Sequence, residues 1–150
     1  MLNFGDTSRV KNVNYIASRL ARTEINMAYR DAETKRWSYL DFVVGFEIKR
    51  SSVIYACPVC GQLEGKYPKD FVWNGWHPNC RCFRIPILKT RQEFEDTDKN
   101  ESVNKVNDLP DNFKKWVKDN ESKITDKSLV KPYFVGDNKM MINKILKEFL

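Results

Sequence analysis

The stretch that decides the fold reads Cys57-Pro58-Val59-Cys60-Gly61 and, with sixteen residues between Cys60 and His77, His77-Pro78-Asn79-Cys80-Arg81-Cys82. All four cysteines and the only histidine of the 150-residue chain lie between positions 57 and 82. Thiolate sulfur and imidazole nitrogen are the donors that a tetrahedral zinc ion takes. Pairs two residues apart, joined by a loop of about 12 to 20 residues, are the usual spacing of a structural site. Two cysteines at i and i+3 reach one ion only if the chain folds back between them. Pro58 fixes one backbone angle there, and Gly61 is expected to supply left-handed geometry, forming a knuckle. Five donors compete for four positions: Cys57, Cys60, His77, Cys80 and Cys82. The repeated two-residue spacing favours His77 with Cys80 in the second half, leaving Cys82 as a spare thiol or substitute. A four-cysteine site with His77 outside it is the alternative.

Other uses of the cysteines fit less well. Met1 to Val10 carries no apolar core segment of a signal peptide, and a reducing compartment disfavours two disulfides. A redox Cys-x-x-Cys needs no second cluster. A catalytic zinc keeps an open position beside a general base, and with His77 coordinated no histidine remains to serve as one. Glu64 and Asp70, the acidic residues of the loop, read as solvated turn charges.

Outward from the cluster, residues 40–55 include Phe42, Val43, Val44, Phe46, Ile48, Val53, Ile54 and Tyr55, a β-branched and aromatic run that predicts a strand leading to Cys57. Leu63, Gly65, Tyr67 and Pro68 suit turns or a short extended piece. Phe71, Val72, Trp73 and Trp76 crowd in before His77. They can stack nucleobases, but a metal-centred unit poor in aliphatic residues needs them as cover, and that use is expected. Residues 83–88 alternate as Phe83-Arg84-Ile85-Pro86-Ile87-Leu88 and predict a returning strand, antiparallel to the one before Cys57.

Upstream, a helix is expected over residues 9–37, capped by Thr7 or Ser8. Its apolar stripe would be Val13, Ile16, Leu20 and Met27, widened by Ala17, Ala21, Ala28 and Tyr29 and buried, with Lys11, Arg19, Arg22, Arg30 and Asp31 on the opposite face. Downstream, residues 91–108 are polar, with a helical turn at 91–95, and read as a linker. A helix from Asp108 or Pro110 through Phe113, Trp116 and Val117 to about Asn120 follows. Lys131-Pro132-Tyr133-Phe134 reads as an extended docking segment. Met140, Met141, Ile145, Leu146, Phe149 and Leu150 mark a last amphipathic helix. The fold class is therefore α+β: a long N-terminal helix packed on a small antiparallel sheet with a zinc-knuckle loop (1–90), a linker (91–108) and a helical extension (109–150).

Twenty-six Lys and Arg against twenty Asp and Glu give a net charge of +6. The excess lies in residues 1–90, which hold fourteen basic and eight acidic residues. Such a field favours phosphate backbones or an acidic partner, with Arg19, Arg22, Arg30, Lys66, Arg81 and Arg84 as candidate contacts. No run approaches the roughly 20 apolar residues of a membrane span.

Arg22-Thr23-Glu24 and Ala28-Tyr29-Arg30 on a helix, then Cys57-Pro58-Val59-Cys60, Leu63-Glu64-Gly65-Lys66 and His77-Pro78-Asn79-Cys80-Arg81-Cys82, resemble the carboxyl-terminal domain of the phage Mu F-like head morphogenesis proteins. The resemblance covers about residues 15–90, in a family whose members are usually longer at the amino terminus. It implies a minor head protein of a phage or prophage, acting in capsid assembly with the portal or other capsid proteins, near packaged DNA. Its location would be the virion and the host cytoplasm. A small zinc-dependent nuclease is the competing expectation.

Overall fold

The computed structural model describes residues 13–51, 57–96 and 101–148. Helix α1 (Val13–Ser38) leads into β1 (Val43–Lys49), the one-turn helix α2 (Pro58–Gln62), β2 (Gly65–Pro68) and β3 (Phe83–Leu88). Helices α3 (Arg91–Glu95), α4 (Asp111–Asp119), α5 (Glu121–Thr125), α6 (Tyr133–Asp137) and α7 (Lys139–Glu148) complete it. The architecture is α+β, with a long N-terminal helix, a three-stranded antiparallel sheet and C-terminal helices. The proposed caps Thr7 and Ser8, together with Lys11, Val53, Ile54, Tyr55, Phe149 and Leu150, lie outside the described residues. Among the described residues no helix is long and apolar enough to cross a membrane.

The strand order is β2-β1-β3, with β1 antiparallel to both neighbours. Phe46 lies opposite Tyr67 on one side and Pro86 on the other, so β3 closes the cysteine loop at its base. As the central strand β1 is covered on both faces, and Val43, Val44, Phe46 and Ile48 are all buried. Gly45 is required by close approach: a Cβ there would sit 2.7 Å from Val106 Cγ2 and 3.0 Å from the Tyr67 carbonyl.

The core is aromatic. Tyr67, Phe71, Trp73 and Trp76 are buried, as the need to cover a small unit predicts, and unavailable for stacking nucleobases. They share one cluster with Leu109, Phe113, Trp116, Val117, Phe134, Val135, Ile142 and Ile145. Phe134 meets Trp76 edge-on at 4.9 Å, and Phe113 meets Phe71 likewise at 5.3 Å. The described parts of the sheet and cysteine unit and of segment 109–145 therefore bury their apolar surface together. Asn138, also buried, stitches them further: its amide accepts from Val72 N at 2.8 Å and donates to the Val72 carbonyl at 2.7 Å.

Several expectations are corrected. The stripe on α1 is not buried: Val13 is 77%, Ile16 43% and Leu20 59% exposed, and Ala17, Ala21, Ala28 and Tyr29 are exposed too. The buried residues of α1 are Thr23 and Arg30, the latter from the face expected to be solvated. Where Thr23, Asn26 and Arg30 stand, the surface that α1 meets is largely polypeptide backbone, which wants hydrogen-bonding side chains rather than aliphatic ones. Residues 131–134 are not wholly extended either, since Pro132 caps the helical turn α6. In α7 Met140 is exposed and Ile142 takes the buried position beside Ile145. Within 91–108, residues 102–104 are bonded back to α3 and β3. Glu93 forms a capping box with Thr90 and also accepts from Ser102 Oγ and Val103 N, both at 2.8 Å.

Candidate metal centre

The first donor pair stands on α2. Cys57 is its N-cap residue and Pro58 its first residue, where a missing N–H costs nothing. The Gly61 N–H bonds the Cys57 carbonyl at 3.1 Å, and this single turn places the Cys57 and Cys60 thiols on one side. The expected left-handed knuckle at Gly61 is thereby replaced by helix. Left-handed geometry occurs instead in the second arm, at Asn79 (φ 58°), where Cys80 N bonds the His77 carbonyl at 3.1 Å. Asn is the non-glycine residue that best tolerates this region.

These turns bring all five donors together. His77 Nε2 lies 3.3 Å from Cys57 Sγ and 3.1 Å from Cys60 Sγ, and Cys60 Sγ lies 3.9 Å from Cys80 Sγ. Cys57, Cys60 and His77 form one group, and Cys60, Cys80 and Cys82 another, each with ligand atoms within 4.8 Å of one another. Bonds of about 2.3 Å to sulfur and 2.0–2.1 Å to nitrogen imply tetrahedral edges of about 3.8 Å between sulfurs and 3.5 Å from sulfur to nitrogen. The donor set fits such an ion. A cavity of about 20 Å³, lined by Cys57, Cys60, His77 and Cys82 with Arg50, Ser51 and Arg81, lies among these donors. All four cysteines are free thiols, so neither arm is closed by a disulfide.

The imidazole is oriented for ligation. Its Nδ1 lies 2.8 Å from the Pro78 carbonyl, which can only accept. Nδ1 therefore carries the proton and Nε2 presents its lone pair to the sulfurs, the arrangement that prepares a metal-binding histidine. Among the thiols, Cys80 is drawn down to about 2 by hydrogen bonds from Cys60 and Cys82, against its burial and aided by the Trp76 and Cys82 N–H groups. Cys60 is pushed far up, first by its bond to Cys80. Protons are thus shared among crowded sulfurs, and a divalent cation would displace them.

Of the six basic candidates, two are withdrawn from solvent. Arg30, 7% exposed, donates to the carbonyls of Asn74 (2.9 Å), Cys80 (2.8 Å) and Cys82 (2.8 Å), with its guanidinium 4.5 Å from the Trp73 ring centre. Arg84 donates to the Arg30 carbonyl (2.6 Å), Thr34 Oγ1 (2.8 Å) and Glu33 Oε2 (3.0 Å), and lies over Trp37. Neither is free for a phosphate. Arg22, Lys66 and Arg81 are exposed and Arg19 is half-buried. Glu64 is exposed and accepts the Arg50 N–H.

The supporting residues missed from sequence are Thr23, Asn26 and the true role of Arg30. Thr23 Oγ1 accepts from Asn79 N at 2.9 Å, and Asn26 donates to the Cys80 carbonyl at 3.4 Å. Their signal is a polar stripe at 23, 26, 30, 33 and 34 on one side of α1, visible only if polar groups are allowed to face inward. No family model, curated protein or solved structure matches the chain.

Proposed function

We propose that this chain is a non-enzymatic interaction module, folded around a structural zinc ion, of the kind found in phage and prophage minor head proteins. Its work would be capsid assembly beside the portal or other capsid proteins, near packaged DNA. Zinc suits the donor set, since three thiolates and an imidazole in tetrahedral array are its ordinary structural ligands. One observation carries the non-enzymatic reading. The sole histidine has both ring nitrogens committed, Nδ1 to the Pro78 carbonyl and Nε2 to the sulfur cluster. No imidazole is left to act as base, and with five donors available for four positions no position need fall to substrate. The head-protein assignment rests on the resemblance of the helix and cysteine motifs, and contact with DNA on the exposed Arg22, Lys66 and Arg81.

A zinc-dependent nuclease is the second reading, favoured by Arg50 and Arg81 lining the cavity beside the donors. The two are separated by metal analysis of His77→Ala. The structural reading expects zinc content and melting temperature to fall together. A folded, metal-loaded His77→Ala protein that had lost a measurable nuclease activity would establish the second.

A further inference from the structure

Helix α1 is attached to the rest of the protein in an unusual way. Its two buried residues both bond the backbone of the second ligand arm: Thr23 takes the Asn79 N–H, and Arg30 binds the carbonyls of Asn74, Cys80 and Cys82. Asn26 adds a second bond to the Cys80 carbonyl. The peptide groups that carry the two C-terminal thiols are therefore held from behind by one guanidinium. Its seat is shaped for it. At Gly75, where φ is +121°, a Cβ would stand 2.6 Å from Arg30 Nη1, so the loop approaches the guanidinium as closely as a bare backbone allows. Trp73 lies against the guanidinium face, and Arg84 holds the Arg30 carbonyl from the other side. Three thiolates around a divalent ion leave net negative charge, which a buried guanidinium offsets.

We propose that Arg30 is the positioning residue of the metal centre, and that the docking of α1 and the occupancy of the site are one linked event. The proposal rests on the zinc reading above. An arm disordered by loss of its ion no longer presents three carbonyls and an N–H in register, and α1 has no comparable apolar attachment to fall back on over residues 13–29. Conversely, removing the fork of Arg30 frees the Cys80 and Cys82 peptides to wander from the ion.

The test uses the full chain and cobalt(II), whose colour reports thiolate ligation, in competition with a chromophoric chelator. Arg30→Met is expected to weaken cobalt binding about 10- to 100-fold, the range for lost outer-shell partners of metal ligands, and to shift the cobalt absorption bands. Val117→Ala, a buried change on α4, serves as control: it should lower the melting temperature and leave cobalt affinity unchanged. Amide exchange is measured alongside, on unsubstituted protein, so that a poorly folding variant does not decide the matter. On chelation the amides of residues 17–29 should lose protection while those of 113–117 keep theirs. Unsubstituted protein that binds no cobalt would overturn the zinc reading itself. Cobalt bound equally well by Arg30→Met, or α1 amides indifferent to chelation in a protein that does bind cobalt, would overturn the linkage alone.

Discussion

The N-terminal helix and the C-terminal helices lie on the same small sheet unit but are held by opposite means. The helices of 109–148 attach through apolar area, with Phe113, Trp116, Phe134, Ile142 and Ile145 buried against Tyr67, Phe71 and Trp76. Over residues 13–30 helix α1 attaches through Thr23, Asn26 and Arg30, whose partners are peptide groups of the arm bearing Cys80 and Cys82, and only its last turns, through Trp37 on Phe46 and the Arg84 bonds to Glu33 and Thr34, reach the core and β3. Apolar burial is non-directional and survives small displacements of the partner. Hydrogen bonds to backbone require the partner to keep its conformation, and they weaken steeply when geometry slips. One end of the molecule is therefore held by area, and most of α1 by the order of the loop that bears Cys80 and Cys82.

The largest effect is expected on the apolar side. Phe113 is fully buried and touches the rings of Tyr67, Phe71, Trp76, Trp116 and Phe134. Phe113→Ala should cost about 3–5 kcal/mol through lost transfer energy and the cavity left behind, read by denaturant unfolding. Metal affinity should be retained wherever the protein remains folded. A Phe113→Ala protein of unchanged stability would show that the shared core is not what joins the two segments.

A much smaller effect separates the apparent apolar stripe of α1 from a real one. Leu20 is 59% exposed and Val13 77%. Leu20→Glu should change the stability of the isolated chain by no more than about 0.5 kcal/mol, as exposed substitutions do. A loss of 2 kcal/mol or more would mean that residues 13–20 are covered in solution.

The parts legible in the sequence and the parts that were not divide along the same line. Strands β1 and β3, their antiparallel pairing, the long helix, α4 and the donor cluster all follow from residue type and spacing, because each depends on apolar periodicity or on ligand chemistry. The inward face of α1 did not follow, since periodicity assumes that what is buried is greasy, and here it is Thr23 and Arg30. Residue preference alone puts the left-handed turn at Gly61. Asn79 adopts it because the second arm, not the first, turns without a helix. Pro132 pointed to extension, yet a proline fits equally before a helical turn, and only the burial of Phe134 beside Trp76 selects that use.

The smallest effect concerns the polar stretch after β3, where attachment is neither apolar nor metal-dependent. Glu93 accepts from the Val103 N–H, the Thr90 N–H and Ser102 Oγ, and these bonds to its charged form hold its carboxyl down to about 2 from an ordinary 4.5. A carboxyl whose folded value is depressed contributes stability that is complete above its unfolded value and is lost as pH falls through the folded one. The tie between α3 and residues 101–104 should therefore be intact at pH 5 and above, and should loosen progressively from about pH 4.5 towards pH 2. Because the group is only partly buried, the loss should be local, visible as a fall in protection of the Val103 amide relative to its intrinsic exchange rate rather than as a shift in global unfolding. In Glu93→Gln, which keeps an acceptor but not the charge, Val103 should already exchange faster at pH 6 and should show no further step down to pH 3. An unaltered pH profile in that variant would assign the ordering of the stretch to its neighbours, beginning with the Asn104 bond to the Leu88 carbonyl.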